Sequence, residues 1–315
     1  MQLFRSFNAA LDRRKETRKR NLNFHLPAAI SFSHTLRLLE NDSSYVTMQD
    51  MLDQHCKEKG IHRDDPQLHF LDKLKVLRNP EGTKVDFFTL RAELISEISA
   101  KFVPATVISN YMSRCMRGPM ELWTMRKLFA LQVAATSFMS FFFAANGRLP
   151  QRFHLSRSTG RMYMSDLLPT WHNKHPFIHS GEAVPFRFTP NMQNFITPIG
   201  IEGLLTSGIM AIGRGLTEPA YDLEQQLSLF LRDEVFAWYT TAQNIILPHD
   251  LTFRRSVQQN AETLVKKADL IACRTPTDVN GSSAQVPIQN ITDLIVRASQ
   301  EQQLAQMEIT YLPWM

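Results

Sequence analysis

The sequence predicts an α+β fold in which helices dominate, and three observations carry that reading. Apolar residues recur at helical spacing over most of the chain. The exceptions, short apolar runs within residues 22–39 and a pair flanking Ser158-Thr159-Gly160, are too brief and too interrupted for helix and read as strands. Residues 128–145 hold no charged side chain, as a helix buried on all sides requires, whether in a protein core or in a bilayer.

Taken in order, residues 1 to about 15 put Leu3, Phe4, Phe7, Ala10 and Leu11 on one helical face. The basic run Arg13, Arg14, Lys15, Arg18, Lys19, Arg20 continues from it. It reads either as a nuclear-import or nucleic-acid patch or, more blandly, as a solvated helix end whose cations complement the dipole. Pro27 and polar residues split 22–39 into two strands. Helical patterns then occupy 48–59, 67–77, 87–102 and 120–145, and strands 152–156 and 161–166 form a hairpin. Residues 171–182 are loop-like. Residues 191–216 mix apolar residues with Gly200, Gly203, Gly208, Gly213 and Gly215, as closely packed short helices require. Longer helices come next at 221–240 and 251–272.

Pro276, Asp278, Asn280, Gly281, Ser282 and Ser283 mark 274–286 as a linker. Beyond it, 287–315 places Ile288, Ile291, Leu294, Ile295 and Ala298 on one face, then Leu304, Met307, Ile309, Tyr311, Leu312 and Trp314. Such a tail docks on the body, because leaving that surface wet forfeits about 25 cal/mol per Å². The expected division is therefore 1–45, 46–273, the linker 274–286, and the tail 287–315.

Bulk properties exclude several classes. With 315 residues a sizeable core is available, and 35 basic against 30 acidic residues give +5, too mild a charge to imply nucleic acid by itself. The mean hydropathy of −0.22 is that of a globular protein. Cys56, Cys115 and Cys273 are odd in number and far apart, which disfavours a disulfide framework or zinc site and fits a reducing compartment. Arg5 interrupts the first residues, so no secretory signal is expected. Residues 128–145 approach bilayer length, but Gln132, Thr136 and Ser137 interrupt them and Arg126 and Lys127 precede them, favouring a core helix over a membrane span.

One constellation carries functional information: Asn146-Gly147-Arg148-Leu149-Pro150-Gln151-Arg152, and shortly after it Ser165-Asp166-Leu167-Leu168. It resembles the catalytic and metal loops of the phosphatidylinositol-3-kinase-related kinases, G-D-R-H-x-x-N and D-F-G. Laid over that pattern, the catalytic Asp falls on Gly147, the His on Leu149, the metal-binding Asn on Arg152 and the last glycine on Leu168. Asp166 alone keeps a like residue. The segment Glu182-Ala183-Val184-Pro185-Phe186-Arg187-Phe188-Thr189-Pro190-Asn191-Met192, then Gly200-Ile201-Glu202-Gly203, is similar to the stretch beyond the metal loop in that family. The tail resembles its carboxyl-terminal FATC domain. More narrowly, Thr17-Arg18-Lys19-Arg20-Asn21-Leu22, Ala211-Ile212 with Leu216-Thr217-Glu218-Pro219, and Leu229-Phe230-Leu231-Arg232-Asp233-Glu234-Val235 resemble the catalytically inert member of the family.

The resemblance implies a mostly helical, protein-kinase-like C-lobe over 46–273, a partial N-lobe over 1–45 and a FATC helical tail. It also implies a nuclear pseudokinase scaffold without cofactor or membrane, whose partners are subunits of SAGA-type and nucleosomal histone acetyltransferase coactivator complexes. Transcription activators would bind through helical repeats that family members carry ahead of this region and that these 315 residues do not contain. The rival reading is a divergent active lipid or protein kinase that uses Asp166 with a relocated base.

Physical chemistry favours the inert reading. Phosphoryl transfer depends on positioning, metal ligands and a base for the hydroxyl proton. Gly147 accepts no proton, which forfeits about 10²- to 10⁴-fold. Arg152 repels a metal ion: two unit charges at 4 Å cost about 4 kcal/mol at an effective dielectric of 20, and a divalent ion doubles it. Its charge is permanent, and pairing with Asp166 across the hairpin is one expectation; the other is that Asp166 caps the turn after the strand. His62-Arg63-Asp64 spells a protein-kinase triplet but lacks its Asn and precedes the buried helix. His172, His175 and His179 offer imidazoles for zinc in principle, although surface histidines are the better reading because Pro176 disturbs a helical ligand face.

Overall fold

The computed structural model describes residues 2–33, 36–77, 87–242, 250–272 and 287–315. The expected linker 274–286 and Cys273 lie outside the described residues. As the sequence predicts, the fold is α+β and mostly helical.

Helix α1, Gln2–Arg13, buries Phe7, Ala10 and Leu11, and the short α2, Lys15–Lys19, begins after a break at Arg14. Strands β1, Ala29–Ser31, and β2, Arg37–Leu39, pair antiparallel. They are shorter than the sequence pattern suggests, because residues before Ala29 serve another purpose. Leu22 and Phe24 are buried, and both main-chain polar groups of Phe24 bind the side-chain amide of Asn8 at 2.7 and 2.9 Å.

Strand β3, Tyr45–Thr47, is not expected from the sequence. It pairs with β4, Phe153–Ser156, which pairs in turn with β5, Met162–Met164, in a three-stranded antiparallel sheet. Phe153, Leu155, Met162 and Met164 are buried on one face of it, while His154 and Tyr163 stack at 4.7 Å on the other.

Helix α3, Met48–Lys59, begins at a reciprocal cap: the Asp50 amide donates to Thr47 Oγ1, and the Asp50 carboxylate accepts from the Thr47 amide. Helices α4, Asp65–Leu77, and α5, Phe87–Lys101, pack on each other, and α6, Val107–Cys115, is a further element the sequence does not announce. Helix α7, Pro119–Phe142, starts with Pro at its first position, a placement that wastes no backbone donor. From Phe129 to Ser140 every residue of it is buried, so its apolar character is that of a core helix. No single helix among the described residues is long and apolar enough to cross a membrane.

Helix α8, Pro190–Ile196, leads through a π-helical turn, Ile201–Thr206, into α9, Ser207–Leu216. Helices α10, Leu223–Ala242, and α11, Asp250–Ala272, pack on each other, and α9 lies against α1, α7 and α11. Gly213 makes the last of these contacts: a Cβ there would stand 2.9 Å from the Ala272 backbone nitrogen. Helices α12, Pro287–Ser299, and α13, Glu301–Leu304, complete the chain with a 3₁₀ turn, Ile309–Tyr311. Trp314 and Met315 are buried in the same core as α7.

Candidate functional site

The core helix α7 delivers the loop that contains Gly147. Ala144 takes a left-handed conformation (φ 50°) and Gly147 another (φ 64°), so the chain leaves the helix sharply instead of continuing to residue 145. The Asn146 amide donates to Thr170 Oγ1 at 2.9 Å, and the Gly147 amide donates to Glu182 Oε1 at 2.7 Å. The loop then makes a 3₁₀ turn, Pro150–Arg152, and enters β4.

Arg152 folds back over the bare face of Gly147: a Cβ on the glycine would lie 3.1 Å from Arg152 Nη1. Arg152 and Asp166 form no ion pair, contrary to one expectation, although the Ser165 amide donates to the Arg152 carbonyl at 2.8 Å and so ties the two loops by backbone. Asp166 is exposed with φ 54°, and its main-chain carbonyl accepts from the Leu168 amide at 2.9 Å, a tight turn made by backbone and not by the Asp166 carboxylate. Its charge acts instead on His154, whose pKa is lowered by burial and partly restored by Asp50 and Asp166. Leu149 is half-buried and Leu168 exposed.

Two arginines to which the sequence alone assigns no role dominate the interior here. Arg148 is fully buried and donates through Nε to Glu182 Oε2 at 2.8 Å, and through Nη2 to Glu182 and to the Val184 carbonyl. Arg187, also buried, donates to the carbonyls of Arg148 (2.9 Å), Tyr311 (2.7 Å), Leu312 (3.1 Å) and Met315. Burial lowers its pKa to about 10, well above neutrality, so it stays charged. Asn191 adds a bond to the Trp314 carbonyl at 2.8 Å, and Arg91 one to the Met307 carbonyl at 2.6 Å. A signal for Arg187 exists in the sequence: a charged residue inside the apolar run Val184-Pro185-Phe186-Arg187-Phe188 must find acceptors when that run is buried.

The segment after Asp166 is equally fixed. Trp171 and Ile178 form a bridge, and buried Asn260 of α11 binds its second side, accepting from the Ile178 amide at 2.9 Å and donating to the Pro176 carbonyl at 2.7 Å. His172 stacks on His175 with ring centres 5.4 Å apart and meets His179 edge-on at 5.7 Å. Yet among the described residues no group of three or more His, Cys, Asp or Glu is arranged to hold a metal ion. Cys56 and Cys115 are free thiols.

Between this loop and the carboxyl-terminal turn lies a cavity of about 650 Å³, lined by Asn146, Gly147, Leu149, Glu182, Glu308 and Tyr311 among others. Of the positions that the resemblance lays over the base and metal ligands, Gly147 lines it, while Arg152 and Asp166 do not. Gly147 offers no side-chain oxygen, Arg152 offers a cation where the resemblance lays a metal ligand, and no group of three or more His, Cys, Asp or Glu that could hold a metal ion gathers among the described residues.

A helical lobe around a buried core helix, a hairpin after a sharp loop and a latched carboxyl-terminal turn define a kinase-like domain. The sequence profile described as phosphatidylinositol 3- and 4-kinase matches residues 1–240, and the chain belongs to that family. Within it, the chain resembles the transformation/transcription domain-associated protein and its fungal counterpart. It is 33% identical to the fission-yeast (Schizosaccharomyces pombe) SAGA complex/NuA4 acetyltransferase complex subunit Tra1 over 100% of this chain and 9% of the relative. Against the mouse (Mus musculus) transformation/transcription domain-associated protein it is 30% identical over 77% of this chain and 9% of the relative. The chain thus spans about a tenth of these relatives. Among solved structures, the FAT and kinase domain of CtTel1 matches with a TM-score of 0.67 at 17% identity, covering 100% of this chain and 20% of that one, a likeness of fold.

Proposed function

We propose that this chain is the pseudokinase portion of a transcription coactivator scaffold in SAGA-type and nucleosomal histone acetyltransferase complexes. Residues 1–45 are then a partial N-lobe, 46–273 a degenerate C-lobe and 287–315 the FATC tail, working in the nucleus and presenting surfaces to other subunits. One observation carries the reading: the Arg152 guanidinium packs against Gly147, so a fixed cation and a residue without a side chain stand where phosphotransfer needs a base and a metal ligand. The buried bonds of Arg148 and Arg187 support it, since they commit the neighbouring interior to holding the loop and tail together.

Affinity tagging of the chromosomal locus, with purification from nuclear extract and mass spectrometry, tests the proposal. Acetyltransferase-complex subunits should co-purify in stoichiometric amounts. A tagged product that purifies without any of them refutes the assignment.

A further inference from the structure

The fold uses up only part of the basic run at residues 13–20. Arg14 Nη1 donates to the Arg214 carbonyl at 2.9 Å and lies 2.7 Å from Glu218, and Arg20 stands 3.7 Å from Glu16. Arg18, between them in sequence, forms no ion pair among the described residues. It lines a cavity of about 530 Å³ together with Asn8, Asp12, Asn21, His25 and Arg161.

Arg161 reaches this cavity from the turn joining β4 to β5 and likewise pairs with no described carboxylate. Its charge is felt there, for it helps to depress the pKa of His25 after the larger effect of burial, against the opposing pull of Glu40 and Asp42. The Asn8 amide is engaged by Phe24, and His25 Nε2 lies 2.5 Å from Tyr45 Oη. Asp12 is the one carboxylate among the described lining residues, so this largely polar cavity is lined by two arginines and one acid, all three exposed to solvent.

We propose that this cavity binds a small phosphate-bearing molecule, with Arg18 and Arg161 donating to its phosphate oxygens. A carboxylate is filled by a single arginine fork, whereas a phosphate has oxygens enough for two forks arriving from separate elements, with the Asn21 amide as a further donor. The volume is that of a small-molecule site.

Calorimetric titration of the whole chain with inorganic pyrophosphate tests this, with folding of every variant checked by thermal melting. Wild type should bind, Arg18→Ala and Arg161→Ala should each weaken binding about tenfold or more, and Arg254→Ala, a paired surface arginine on α11, should bind as wild type does. Asp12→Asn should tighten binding severalfold by removing the opposing charge. Three results would overturn the proposal: an affinity indifferent to Arg18 and Arg161, an affinity that Asp12→Asn leaves unchanged, or binding confined to vesicles of phosphorylated phosphoinositide or to a phosphoserine peptide.

Discussion

Arg187 holds Tyr311 twice: its Nη1 donates to the Tyr311 carbonyl at 2.7 Å, and its guanidinium carbon stands 4.4 Å from the centre of the Tyr311 ring. The same side chain binds the Arg148 carbonyl, so one buried cation joins the loop before β4 to the carboxyl-terminal turn. Arg187→Ala strands these carbonyls without donors, each at about 1–3 kcal/mol. The variant should lose about 3 kcal/mol or more in denaturant unfolding and should expose residues 309–315 to carboxypeptidase. Unchanged stability would mean that the tail is held by its apolar contacts alone.

Asn260 should matter beyond its size. Its amide bridges the Ile178 amide, the Pro176 carbonyl and the Ser256 carbonyl at 2.9, 2.7 and 2.8 Å. Asn260→Ala leaves those groups unsatisfied and should cost about 1–3 kcal/mol. Hydrogen exchange should rise selectively at residues 171–179, where a uniform rise across the chain would point to general loosening instead.

Lys267 on α11 donates to the carbonyls of Phe141 and Phe142 at 3.3 and 3.4 Å, at the end of the core helix. Burial lowers its pKa from 10.5 to about 8. A base whose folded value lies below its unfolded one binds fewer protons when folded, so its charge costs stability in full below pH 8, and that cost is removed as pH rises toward 10.5. Relative to Lys267→Met, wild type should therefore gain about 3 kcal/mol between about pH 7 and pH 10.5. A constant difference across this window in paired thermal melts would show that Lys267 is solvated.

Gly147→Ala tests the loop conformation. A φ of 64° costs a side chain about 1–2 kcal/mol, and the new methyl would press on Arg152 Nη1 from 3.1 Å, a flexible end that can yield. The expected loss is therefore the backbone cost alone, read by denaturant midpoint. A larger loss would mean that Arg152 is held rigidly in place.

The legibility of each element in the sequence depends on where that element gets its stability. Helix α3 is placed correctly at both ends because its signals are local: Thr47 and Asp50 cap its start, and Gly60, at φ 68°, ends it. The hairpin is legible from Ser158-Thr159-Gly160 flanked by apolar runs. Strand β3 is not, because Tyr45–Thr47 exists by pairing with β4, far along the chain. At the site, the substitutions at Gly147 and Arg152 can be read directly. Their mutual packing cannot, and the expected pairing of Arg152 with Asp166 fails because Asp166 turns outward after its strand. The roles of Glu182, Arg187 and Asn260 depend on partners that only the tertiary fold supplies.

The most direct test of the account is magnesium–ATP binding and turnover by the full product of the locus, compared with the same protein carrying Asp166→Asn. The account predicts no turnover and no magnesium-dependent nucleotide affinity in either protein. Micromolar magnesium–ATP binding with phosphate transfer that Asp166→Asn abolishes would contradict it and establish a working kinase.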